Sequence, residues 1–193
     1  MMYTSLVAFG AALGLAGLAS LAHAQPADPA QPADRGASAR HHVDSPMVRK
    51  VRQATATFRN VDNAVAAGYE SSGTCVSGPS GGAMGVHYAN PSLLGDGELD
   101  VTQPEVLVYE PGSDGRLRLV AAEYVTFAEQ WEAKHSGEPA SLEGHHFNRL
   151  GATNRAGLPP HWELHVWAWK PNPRGTFADY NPIVSCEAFV PAP

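Results

Sequence analysis

The sequence predicts an α+β fold: an antiparallel sheet, able to curl into a barrel, with an N-terminal amphipathic helix and one disulfide. Three observations carry this expectation. A stretch around residue 50 repeats its apolar residues at helical spacing. The chain after it alternates short apolar runs with turn signals. Only two cysteines, Cys75 and Cys186, occur in 193 residues.

The chain opens on a segment of another kind. Met1 to Ala24 contains no Asp, Glu, Lys or Arg, and Leu6 to Ala22 is apolar or small apart from Ser20. It ends at Ala22-His23-Ala24, a small-x-small step before Gln25. That pattern predicts a cleaved secretory signal, residues 1–24, and an extracytoplasmic (periplasmic or secreted) protein. The run is short and rich in Ala and Gly, so no membrane span is expected after cleavage. Residues 25–44 are built from Ala, Pro, Gln, Asp and Gly, closed by His41-His42. Such a composition cannot bury enough apolar surface to order itself and predicts a linker. Residues 45–193 then make one domain.

In that domain the helix comes first. Asp44 or Ser45 offers an N-cap and Pro46 suits the first helical turn. Val51, Ala54, Phe58, Val61 and Val65 form one apolar stripe, and Gly68 is a natural C-cap. Gly78-Pro79-Ser80-Gly81-Gly82 lacks the Lys-Ser/Thr ending of a phosphate loop and predicts a turn. Strands are expected at Ala83–Ala89, Glu105–Glu110 and Arg116–Val125, the last two joined as a hairpin through Pro111-Gly112-Ser113-Asp114-Gly115. Thr126-x-x-Glu129 reads as a capping box opening a short helix that holds Trp131. His135, at its far end, suits the negative pole of that helix. Glu138 to Pro160 has no clear period, and a segment of that length is often functional. Trp162–Trp169 and Val184–Val190 complete the expected strands.

Charge and cysteines narrow the function. A net charge of −6 without a block of Lys or Arg argues against nucleic acid as a partner. In an exported chain an isolated cysteine pair most simply forms a disulfide. Closing a loop of about 110 residues this way stabilises the fold by roughly 4–5 kcal/mol in the chain-entropy model. No Gly-x-Ser-x-Gly elbow is present.

Histidines carry the chemical signal. On a strand, His87 faces away from Met84, Val86 and Tyr88, between the small residues Gly85 and Ala89. Glu123 ends an apolar stripe formed by Leu117, Leu119 and Ala121, where a bare carboxylate costs several kcal/mol unless paired, protonated or bound to a cation. In His161-Trp162-Glu163-Leu164-His165, the two histidines and Glu163 share one strand face. His146, in the long segment, offers a further imidazole. His87, Glu123 and His165 are therefore the expected core of a metal site, with His161, Glu163 or His146 completing it. Zinc, copper and iron, as divalent transition metals, accept such ligands.

Two further readings predict different geometry. A small-molecule binding module without metal would gather aromatics, among them Tyr88, Tyr124, Trp162 and Trp167, around an apolar pocket. A structural or interaction protein of the cell envelope would gather no polar cluster.

Gly-Ala-Met-Gly-Val-His-Tyr at 82–88, Pro-Glu-Val-Leu-Val-Tyr-Glu-Pro at 104–111 and Glu-Leu-His-Val-Trp-Ala-Trp-Lys-Pro-Asn-Pro at 163–173 resemble a group of exported bacterial proteins. Phe-Ala-Asp-Tyr-Asn-Pro-Ile-Val-Ser-Cys at 177–186 continues the resemblance, which spans residues 47 to 189. It implies a single domain in an exported setting and assigns no catalytic residue.

Overall fold

A computed structural model describes residues 45–191. The expected signal (1–24) and linker (25–44, with His41-His42) lie outside the described residues.

The first helix, α1, spans Pro46–Thr55. Ser45 caps it, its Oγ accepting from the Val48 N–H at 3.2 Å, and Pro46 stands where no intrahelical N–H is needed. The helical stripe does not continue as one rod. A 3₁₀ turn at Ala56–Arg59 follows, then a separate helix, α2, at Val61–Ala66. Asn60 breaks the run: its backbone is extended, and its side chain caps α2 by accepting from the Asp62 N–H.

Strands β1 (Glu70–Ser77), β2 (Ala83–Ala89), β3 (Val106–Pro111) and β4 (Leu117–Phe127) come next, with a short helix α3 at Pro91–Leu94 between β2 and β3. Helix α4 (Ala128–Lys134) follows β4 directly. The segment expected to be irregular carries β5 (Ser141–Leu142), β6 (His145–His146) and β7 (Asn148–Leu150), and β8 is His161–Val166. Six strands form an antiparallel sheet in the order β1-β2-β3-β4-β8-β7, while β5 and β6 make a separate two-stranded pair.

The sheet is open and does not close into the barrel that was expected. Its edges are β1, polar and mostly exposed, and β7, only three residues long. Neither pairs with the other, so the ladder ends at both sides.

Several elements differ from expectation. β1 has no apolar alternation in Glu-Ser-Ser-Gly-Thr-Cys-Val-Ser and gave no strand signal. Val184–Val190 is not a strand: Asn181 forms an isolated bridge to Ala83, and turns follow at Asn181–Val184 and Cys186–Phe189. Thr126 is not a helix cap. It belongs to β4, and α4 starts one residue after Phe127 with no side-chain cap.

Apolar side chains cover both sheet faces. Met47, Val48 and Val51 of α1 pack with Tyr124, Trp162 and Leu164 on one face. Val106, Val108, Ala121, Val125, Trp167 and Val184 pack on the other. Cys75 and Cys186 are disulfide-bonded across a separation of 111 residues, tying the edge strand β1 to the C-terminal segment.

Candidate metal centre

Strand register brings the candidate ligands together. Ala89 pairs with Val106, Val106 with Glu123, and Glu123 with His165, so one row of the sheet runs across β2, β3, β4 and β8. Directly paired residues project to the same face. His87, two residues from Ala89, stands on that face in the next row, opposite Val108. Gly85 lets β2 approach: at φ +119°, a Cβ there would lie 2.4 Å from the Tyr109 carbonyl oxygen, so only glycine lets β2 close onto β3 at this point.

Two overlapping groups of His, Asp and Glu side chains converge among the described residues. They are His87–Glu123–His165 and Glu163–His165–Asp179, in each of which one ligand atom per residue lies within 4.8 Å of the others. His87 Nε2 is 3.5 Å from Glu123 Oε2, and His165 Nδ1 is 3.6 Å from Glu123 Oε1. Asp179 Oδ1 lies 4.0 Å from the same His165 nitrogen. These separations are long for hydrogen bonds. Donor atoms around one ion with bonds near 2.1 Å at tetrahedral angles stand about 3.4 Å apart. The side chains of His87, Glu123, His165 and Asp179 can hold a metal ion.

Burial sharpens the point. His165 has no exposed surface, and neither of its ring nitrogens has a hydrogen-bond partner. Buried polar groups normally find partners, and one left without costs about 1–3 kcal/mol. Burial, then the approach of His87, pushes the His165 imidazole down to about 3. Burial, then the Arg155 guanidinium, lowers His87 to about 4, partly opposed by Glu163 and a hydrogen bond to the Gly85 backbone. Both rings are therefore neutral at ordinary pH, the form in which imidazole ligates metal. Burial, and next the neighbouring Glu163 carboxylate, holds the Glu123 carboxyl well above its usual range. Arg118, close in sequence, pairs with Asp114 instead.

Glu163 is a contrast. Burial alone would raise its carboxyl, but the His161 hydrogen bond and the Arg155 guanidinium hold it down to about 2. The Arg155 guanidinium donates to Glu163 Oε1, and His161 Nε2 lies 3.3 Å from Oε2. His161 Nδ1 faces the Pro159 carbonyl at 2.8 Å, and a carbonyl can only accept, so that nitrogen carries the proton. Burial works against the His161 cation, but the Glu163 bond raises its basicity above the ordinary value. Glu163 and His161 thus form a charged pair beside the converged imidazoles.

Above this floor lies a cavity of about 270 Å³. His87, Glu123, Arg155, His161 and Glu163, with the hydroxyls of Ser72 and Thr74, give it polar groups; Val76, Ala89, Leu94, Val106, Val125 and Leu158 give it apolar walls.

The other sequence candidates lie elsewhere. His146 is exposed on the β5–β6 pair and joins neither converged group. Tyr124 and Trp162 are buried in the core under α1, on the opposite face. Tyr88 lines a separate cavity with Val86, Leu117 and Phe189. Trp167 lies on the site face, its ring 6.3 Å from that of His165. His135 caps α4, its Nδ1 3.0 Å from the Trp131 carbonyl.

Asp179 and Arg155 were not among the sequence candidates. Asp179 sits in a turn-rich segment, within a stretch noted only for the resemblance it carries. Arg155 lies in the long segment 138–160, whose length marked it as functional without singling out a residue.

Comparison with protein-family models, with curated proteins and with solved structures found no match for this chain.

Proposed function

We propose that this chain is an exported metal-binding domain and a metal-dependent enzyme, holding zinc, copper or iron between His87, Glu123 and His165. Asp179 belongs to the second group, with Glu163 and His165, and stands beside this set of three. His87 and Glu123 also line the cavity, so an open position on an ion held there would face it. Three donors with one position open suit a catalytic ion better than a closed structural one. Hydrolytic and oxygen-handling reactions both fit two imidazoles and a carboxylate.

One observation carries the reading: Glu123, 5 % exposed, lies between two neutral imidazoles, and His165 has no hydrogen-bond partner at either nitrogen. Ring nitrogens and carboxylate oxygens converge there at 3.5 and 3.6 Å, too far for good hydrogen bonds and spaced as ligands around one cation are. Glu163 and His161 neutralise each other and support the site from beside it. The binding module without metal finds less support, because Tyr124 and Trp162 pack on the far face. The apolar leader and the Cys75–Cys186 bond support an extracytoplasmic site of action. No helix among the described residues is long and apolar enough to cross a membrane.

The test is metal content by plasma mass spectrometry on the chain from Gln25, made by export without a histidine tag. The expected result is a near-stoichiometric transition metal that is lost in a folded His87→Ala, His165→Ala double variant. A chain that takes up no metal after incubation with zinc, copper and iron(II) contradicts the reading.

A further inference from the structure

The walls of the cavity and the one cation on its rim bear on what binds there. Among the described lining residues, Arg155 is the single Lys or Arg. Its side chain is 29 % exposed, held by Glu163 on one side and with its guanidinium carbon 6.0 Å from the centre of the Tyr180 ring on the other. A guanidinium has five N–H donors in a fixed fork. Glu163 fixes its orientation through one terminal nitrogen, leaving the fork able to meet a second acceptor in the cavity.

Position points the same way. A divalent ion held by His87, Glu123 and His165 would face the same cavity as the Arg155 guanidinium, and two cationic centres on one cavity attract an anion and repel a cation. Val76, Leu94, Val106, Val125 and Leu158 offer only hydrocarbon to the rest of the ligand, and Ser72 and Thr74 supply the hydroxyls of the lining.

We infer that the cavity takes a small organic monocarboxylate, its carboxylate lying between the metal and Arg155 and its hydrocarbon body against the apolar walls. This rests on the metal reading above. Arg155 is then a specificity-determining residue for the site.

Isothermal titration of zinc-loaded protein with butanoate, benzoate, butanol and butylammonium tests it, with zinc content measured on the same samples. The expected order is carboxylates bound, the alcohol weaker, the ammonium not bound. Arg155→Gln should weaken butanoate by about tenfold or more, the size of one charge-assisted hydrogen bond, with zinc content unchanged. Arg155→Lys, which keeps the charge and loses the fork, should fall between. Zinc-loaded protein that binds butylammonium as well as butanoate, or folded Arg155 variants with unchanged butanoate affinity, overturns this inference alone. Wild-type protein that takes no zinc overturns it together with the metal reading.

Discussion

Glu123 and Glu163 stand on adjacent strands, close enough to share a hydrogen bond, yet only Glu163 has cations for partners. The same side chain, buried in the same face of one sheet, thus has two environments. Arg155 and His161 compensate Glu163. Glu123 meets two neutral rings, and its compensation must come from a proton or a bound ion.

The two glutamates should therefore respond to mutation with opposite signs. Without metal, Glu123→Gln removes a buried acid that no cation partners, and stability should hold or rise. Glu163→Gln leaves Arg155 and His161 uncompensated and should cost about 2–4 kcal/mol, below the full value for a buried pair because Arg155 is partly exposed. Urea unfolding in chelator measures both. In zinc the order changes: at a hundredfold excess over Kd, wild type should gain about 2.7 kcal/mol, a gain that Glu123→Gln forfeits. Equal destabilisation by both substitutions would remove the distinction between them.

A second buried acid lies away from the metal centre and sets a pH dependence. Glu105 is 2 % exposed, and its Oε2 accepts the Val125 N–H at 3.0 Å. Burial pushes its carboxyl up to about 8, against the opposing pull of that hydrogen bond. The folded chain therefore holds a proton that the unfolded chain releases at the ordinary carboxylate value. Stability from this group is complete below about pH 4.5 and is lost as pH rises through about 8. Glu105→Gln keeps an acceptor for Val125 and cannot ionise. Its unfolding free energy should exceed that of wild type at pH 8 and vary less between pH 5 and 8. Parallel pH profiles for the two proteins would contradict this.

The disulfide should matter through the length of loop it closes. A separation of 111 residues corresponds to roughly 4–5 kcal/mol of chain entropy. Cys75→Ser with Cys186→Ser should lower stability on that scale in denaturant titrations. It also frees the edge strand β1, which supplies Val76 to the cavity wall. A loss below about 1 kcal/mol would mean that the unfolded chain is already compact.

How much of this was legible in the sequence follows from where period and pattern are strong. His161, Glu163 and His165 alternate with Trp162, Leu164 and Val166, so their common face was readable from the period of two. The pairing of Glu123 with His165 depends on the register of β4 against β8, separated by more than thirty residues, and local pattern does not encode it. β1 was missed because an exposed edge strand needs no apolar alternation. The terminal strand was expected from Val184 and Val190, but Val190 is 83 % exposed and only Val184 is buried, so there was no face to alternate. Arg155 and Asp179 come from loops, and loops are placed by the whole fold.

The measurement that bears most directly on the metal centre is anomalous diffraction at the zinc edge from crystals of the zinc-loaded chain from Gln25. The account predicts one strong peak bonded to His87, Glu123 and His165 at about 2.0–2.2 Å. Density bare at that point, with zinc bound instead at surface histidines such as His146, would contradict it.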